Sequence, residues 1–393
     1  MGPGKDTGSR LQSVDALRGL IMIIMALDHV RDFFHHDAGL FSPTDLTKTN
    51  TILFLTRWIT HFCAPVFMFT AGIGAFFWLH RGRTRAQLSK YLVSRGLWLI
   101  LLEVTAMRFG LNFNFSLEYP LFLITLFALG SSMIALAGLA WLPLPVLSVL
   151  SVGTILLHNT LDGIQAKQFG AAAPLWNMLH QPGAMQVAGM VIIFGYPLLS
   201  WIAAMAAGFC FGQVLTMPSE RRRKIALGIG IAATVGFVAL RFANIYGDPS
   251  RWNGTALSFL NCTKNPPSLL FLMMTLGPAL IVLWWFDHLQ FSARNPLIVF
   301  GRVPLFYFLV HFYLIHVVEG LMTILRYGAP GLHLFFNPVP AAGAPPNLYP
   351  ADFGYSLAAT YGFWILIVVA MYPLCLWYGK LKATRRSWWL SYL

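Results

Sequence analysis

Charge is what this sequence has least of. Asp, Glu, Lys and Arg make up 10% of its 393 residues, where an ordinary soluble domain carries about 25%. Acidic residues are the fewest, 14 against 27 basic ones, for a formal net charge of +13. That excess implies cytoplasmic loops of a membrane protein before it implies nucleic acid, and no nucleic-acid partner is expected. Cysteine is also scarce. Cys63, Cys210 and Cys375 lie in apolar stretches and only Cys262 in a polar one, so no disulfide framework is implied. There is no internal repeat and no polar segment long enough to fold alone, so residues 1–393 are expected to form one domain. No small-residue cleavage site follows the first apolar run, which is expected to be a retained anchor.

What remains is apolar. Hydrophobic residues make up 57% of the chain and the mean hydropathy is +0.65. The pattern predicts an all-α polytopic bundle of about ten spans, near 14–34, 52–79, 91–109, 120–141, 143–158, 187–215, 225–243, 268–289, 297–325 and 356–378. Pro143 and Pro145 mark a tight hairpin or a broken helix between the fourth and fifth. Pro197 and Pro304 interrupt the sixth and ninth. Basic clusters fall at Arg81, Arg83, Arg85 and Lys90, at Arg221 to Lys224, and at Lys380, Lys382, Arg385 and Arg386. With both termini in the cytoplasm, all three lie on the inner side, as the positive-inside rule requires. The expected location is the plasma (inner) membrane. Loops 35–50, 159–186, 244–267 and 327–355 then face outward.

The stretch 13–36, SVDALRGLIMIIMALDHVRDFFHH, organises the rest. It begins as a membrane helix and closes with Asp28, His29, Arg31, Asp32, His35 and His36. At 1.5 Å per residue, Asp28 is roughly 21 Å along the helix, still inside a hydrocarbon core about 30 Å thick. Ionisable groups there mark function by default, with their partners nearby. His29, Asp32 and His36 share one face at i, i+3 and i+7. A carboxylate one turn from a histidine can orient the ring and stabilise its cation, as a general base requires. Capping and interfacial water are the plainer account for Asp32, His35 and His36. Two histidines and an aspartate could also hold a metal, but no second ligand-rich motif supports this and none is expected.

Other spans bring charges to the same leaflet. Arg57 and His61 are i, i+4 on the second, Glu103 and Arg108 lie on the third, and Lys264 sits just before the eighth. His311, His316 and Glu319 lie on the ninth, although aromatics around the two histidines suggest packing.

The opening SVDALRGLIMIIMALDH resembles that of the integral-membrane acyltransferases. This superfamily includes the acyltransferase-3 (O-antigen acetyltransferase) proteins and the heparan-alpha-glucosaminide N-acetyltransferases. LDHVRD, PTDL at 43–46, FLTRWITHFCAPVF at 54–67, SFLNCTKNPPSLLFLMMTLGP at 258–278, FGRVPLFYFLVHFYLIH at 300–316 and the closing WWLSYL are similar to the bacterial branch near the latter. The resemblance implies an acyl-CoA donor, acetyl-CoA above all, taken from the cytoplasm. It implies an acceptor hydroxyl or amine on an extracytoplasmic glycan or glycolipid. His29 matches the catalytic histidine of the acyltransferase-3 proteins and stands where the heparan enzyme has an active-site Asn. Phe33-Phe34-His35-His36 resembles, at shorter spacing, the place of the heparan enzyme's own catalytic histidine. The base is therefore His29 or His36, with Asp28 or Asp32 orienting the ring. Arg57, His61 and Lys264 are expected to hold the acceptor or the oxyanion. Arg18, Arg95 and Arg302, near the inner side, are expected to meet the phosphates of coenzyme A. The alternative is a proton-coupled transporter using the same Asp/His/Arg cluster as a relay. It is disfavoured by the missing repeat and by charges gathered at one leaflet.

Overall fold

A computed structural model describes residues 11–344, 347–385 and 390. Arg386 and, apart from Leu390, the closing WWLSYL lie outside them. Helix α1 (Gln12–Phe34) runs through the centre. It packs on α2 (Thr51–Thr60), α3 (Cys63–His80), α12 (Leu269–Phe286), α13 (Pro296–Arg302), α14 (Pro304–Tyr327) and α16 (Leu357–Thr384). Two of these contacts are backbone to backbone. A Cβ on Gly19 would stand 1.9 Å from the Leu297 carbonyl oxygen, and one on Gly301 1.8 Å from that of Asp15, so only glycine lets α1 and α13 meet. Gly72 and Gly208 do the same between α3 and α9 (Leu198–Leu215).

The outer ring consists of α4 (Arg85–Leu102), α5 (Arg108–Asn112), α6 (Thr125–Leu139), α7 (Leu144–Leu157) and α10 (Ser219–Ala243). A π turn, Glu103–Met107, joins α4 to α5, and the Glu103 carboxylate accepts the backbone N–H groups of Leu126 and Phe127 at 2.6 and 2.9 Å. Glu103 therefore caps the first turn of α6. Seven helical segments are long and apolar enough to cross a membrane, with α2 and α3 counted as one. Their burial separates core from rim. It is 67% for α9, but 17% for α7 and 22% for α10 and α16, whose exposed Val149, Val235 and Val369 suit lipid. Helix α1 (Asp15, Arg18, Asp28, Arg31, Asp32) and helix α4 (Arg85, Lys90, Arg95) carry charges along their apolar lengths, and α6 is shorter. The chain is a multi-pass membrane helix bundle.

The expected boundaries need correction at two places. The fourth span does not start at 120: β1 (Leu121–Leu123) precedes α6. The sixth does not start at 187, because residues 190–194 form β3 (Met190–Phe194) and Pro197 caps α9 instead of interrupting it. The β-branched run MVIIF suits a strand. Ala188 and Gly189, both at positive φ, make the two-residue turn from β2 (Gly183–Val187). The sheet order is β1-β3-β2, with β1 and β3 parallel, so the bundle is not purely helical. Pro143 caps α7, giving two separate helices around residues 140–143. The break at Pro304 is as expected, with Val303 between α13 and α14.

The basic clusters sit at one end. Arg222 and Arg223 both bind Asp287, at 3.0 and 2.8 Å, beside Ser13 of α1. At the other end lie His35, paired with Tyr355, and α8 (Ala173–Leu179), α11 (Ala256–Leu260) and α15 (Ala329–Phe335).

Candidate active site

Near its far end α1 turns His29 toward α14. The Nδ1 of His29 lies 2.8 Å from Nε2 of His311. The other nitrogen of His311, Nδ1, lies 2.7 Å from the carbonyl oxygen of Tyr307, one turn earlier on its own helix. A carbonyl can only accept, so His311 Nδ1 carries a proton and donates it. With both rings neutral, His311 Nε2 is then an acceptor, and His29 Nδ1–H donates to it. This assigns the tautomer of His29: its Nε2 keeps the lone pair. Phe308 and Phe312 stand edge-on to the His29 ring at 6.0 and 5.0 Å and fix its plane. His311 is fully buried and His29 half-buried.

The carboxylates on α1 are engaged elsewhere. Asp28 pairs with Arg31 at 2.9 Å and with Arg57 of α2, and accepts from Thr60 Oγ1 at 3.0 Å. Asp32, partly exposed, pairs with Arg31 at 2.6 Å. Two acids and two bases balance, which is how four ionised groups are accommodated between helices. Among the described contacts the hydrogen-bond partner of His29 is His311 and neither aspartate. His36 is set apart. Its side chain is 52% exposed, Nδ1 donates to the Tyr355 carbonyl at 2.9 Å, and Nε2 lies 3.3 Å from Asp37. It stacks on His35 beyond the end of the helix.

Arg57, His61 and Lys264 do come together. They line one polar cavity of about 380 Å³ with Ser42, Thr44, Asn261 and Thr263. His61 is 3% exposed and its Nδ1 has no hydrogen-bond partner among the described residues. Lys264 stands over the Tyr196 ring at 5.2 Å and close enough for its charge to act on Asp28, His29 and His61. Cys262 also lines this cavity. Burial, with the charge of Asp248 nearby, pushes its thiol well above the usual range, which disfavours the thiolate.

The expected donor-side arginines lie at the other end. Arg302 is 4.0 Å from Asp15 and 42% exposed, Arg18 donates to the Thr70 carbonyl of α3, and Arg95 is half-buried on α4. Asp15 and His29 are fourteen positions apart on one helix, about 21 Å.

The sequence alone missed the hydroxyls and amides of the cavity, although NCTKN and PTDL carried them in plain view. It also missed the contact of His311 with His29, because the aromatic neighbours of His311 read as packing. No spacing rule links residues 29 and 311.

A half-buried imidazole with its lone pair on Nε2 and a polar cavity lined by Arg57, His61 and Lys264, within a multi-pass bundle, form a candidate site that suits group transfer. The chain belongs to the heparan-alpha-glucosaminide N-acetyltransferase family: the model of that family's catalytic region matches residues 10–242, more than half of the sequence. The match covers α1 to α10 and leaves Lys264 and His311 outside it. A search of curated proteins gave no match. The family transfers acetyl groups from acetyl-CoA within a membrane, which makes this chain a membrane acetyltransferase.

Proposed function

We propose that this protein moves an acetyl group from cytoplasmic acetyl-CoA to an amine or hydroxyl of an extracytoplasmic glycan or glycolipid, across the inner membrane, with His29 as the base. The observation that carries this reading is the His29–His311–Tyr307 chain of hydrogen bonds, which leaves His29 Nε2 as a lone-pair donor. The acceptor sits in the cavity of Arg57, His61 and Lys264. As its nucleophile attacks the thioester carbonyl, His29 Nε2 takes the proton, and the imidazolium is stabilised by the acceptor nitrogen of His311. Arg57, His61 or Lys264 stabilises the oxyanion. The tetrahedral adduct then collapses, the C–S bond breaks, and His29 returns the proton to the thiolate of coenzyme A. Asp28 and Asp32 hold Arg57 and Arg31 in place and balance their charge. Arg18, Arg95 and Arg302 bind the phosphates of the donor at the inner mouth.

The test is release of free coenzyme A by purified protein in proteoliposomes given acetyl-CoA and a glycan acceptor. Acceptor-dependent thioester cleavage, lost in His29→Ala, is the expected result. Solute flux without cleavage would replace this reading by the transporter. Mass spectrometry of envelope glycans with and without the protein identifies the acceptor.

A further inference from the structure

A second polar cluster lies away from the His29 site, where α7 runs into its outer loop. A 3₁₀ turn, His158–Leu161, continues α7 and supplies His158, and Asp162 follows it directly. His180 comes from the end of α8. Each residue offers one ligand atom, and these three atoms all lie within 4.8 Å of one another. Both histidines are 2% exposed.

The hydrogen bonds around the cluster leave ring nitrogens unused. His158 Nε2 and His180 Nδ1 are buried without a partner among the described residues. A buried imidazole nitrogen in that state has lost its hydration with nothing to replace it. His180 Nε2 is 3.1 Å from Asp162 Oδ1. Around a tetrahedral ion, ligands bound at about 2.0–2.2 Å stand roughly 3.3 Å apart, close to that separation. The flanking contacts orient the ligands. Asn159 Nδ2 donates to the other Asp162 oxygen, Oδ2, at 2.8 Å, so that Oδ1 is the oxygen turned to His180. His158 Nδ1 is 3.4 Å from Ser200 Oγ, a contact that leaves Nε2 as the unpartnered nitrogen of that ring. Trp176 packs on the His180 ring at 5.4 Å and shields that side.

We propose that His158, Asp162 and His180 bind a divalent transition ion, zinc by the chemistry of two imidazoles and a carboxylate, with water in the fourth position. The ion is structural. It fastens α8, and with it the β2–β3 hairpin, to the end of α7. Asn159, whose Oδ1 accepts from the Leu269 N–H at 2.8 Å, ties the same turn to α12. The site is independent of the acetyl-transfer reading, and it involves none of the residues placed there.

The experiment is elemental analysis of the full-length protein, purified in detergent, after equilibration with zinc chloride and dialysis. One zinc per chain is expected in the wild type, with loss in His180→Gln and in Asp162→Asn. Zinc should raise the melting temperature of the wild type and of neither variant. No retained zinc in the wild type, or full retention in both variants, overturns the proposal. Should the variants not fold, X-ray absorption of the wild-type ion decides. Two nitrogen ligands of imidazole type with oxygen support the site. A shell containing sulfur, or oxygen alone, refutes it.

Discussion

His29 and His311 meet through their ring nitrogens although 282 positions separate them in the chain. The contact places the lone pair of His29 on Nε2 and gives the ring a partner that accepts its Nδ1 proton throughout a catalytic cycle. Replacing His29 by Ala should lower acetyl transfer by roughly 10²–10⁴-fold, the usual worth of a positioned base. His36→Ala should do far less, because that ring is half in solvent at the rim. Turnover of both purified variants at saturating acetyl-CoA decides. Wild-type rates in the His29 variant with collapse in the His36 variant would reassign the base.

In the proposed mechanism His311 positions His29, and its variants should separate that role from a purely structural one. His311→Phe fills the space but leaves the His29 N–H unpaired, costing about 1–3 kcal/mol, or roughly 5–150-fold in kcat. KM for acetyl-CoA should change little, since the described contacts of the ring are His29, Tyr307, Phe308 and Phe312 and none of the arginines assigned to the donor. His311→Gln, whose amide oxygen can accept, should recover part of the loss. Equal losses in both variants, together with lower thermal stability, would reduce His311 to packing.

Much of this was legible in the sequence for definable reasons. Apolar runs and basic clusters mark membrane helices because both follow from the bilayer, and α1 and α12 lie within three residues of their expected places, while α16 starts where expected and runs six residues further. Arg57 with His61 and Lys264 could be anticipated because intramembrane charges gather at one leaflet, whereas Asp28, expected to orient a histidine ring, pairs with Arg57 and Arg31 instead. Strand β3 could not, since MVIIF is as apolar as a helix start and its strand character rests on pairing with β1 and β2. The His29–His311 contact was hidden for the same reason: it is tertiary, and His311 sits among aromatics that satisfy a packing rule equally well.

Orientation is tested by topology reporters. Fusions at residue 222 and at the C-terminus should report the cytoplasm, and one in the 249–254 loop the outside. These sites follow from the clustering of Arg222, Arg223 and Asp287 beside the start of α1. An outside signal at residue 222 would put His29 in the inner leaflet and the donor arginines on the wrong side.

The glycine contacts predict a stability effect distant from the chemistry. Gly301→Val and Gly72→Val would drive a side chain into backbone atoms less than 2 Å away. Helices cannot separate locally by that much, so the cost should be at the upper end of about 1–3 kcal/mol for overpacking, or beyond. Aggregation or a lowered melting temperature in detergent is expected. Gly153→Val on α7, where the added carbon meets nothing within 4 Å, is the control and should behave as wild type.

His35 gives a pH dependence whose sign can be worked out. It follows the last residue of α1, and burial together with the neighbouring His36 pushes its pKa down to about 4. Its Nδ1 accepts the Asp37 N–H at 3.2 Å, a bond that protonation of that nitrogen removes. The adjacent backbone is paired with Tyr355 through Tyr355 N–H to the Phe34 carbonyl at 2.7 Å and His36 N–H to the Tyr355 carbonyl at 3.1 Å. An unfolded histidine titrates near 6.5. Between roughly pH 6.5 and 4 the unfolded chain therefore binds a proton at residue 35 that the folded chain excludes, and folding stability falls as pH falls through that window. Below about 4 both states are protonated and this contribution levels off. His35→Gln removes the titrating group while keeping an acceptor for the Asp37 N–H. The melting temperature of the variant should fall less steeply than that of the wild type between pH 6.5 and 4 and run parallel to it above 7. Parallel curves across the whole range would show that His35 takes up its proton equally in both states, and that its burial does not act on its charge.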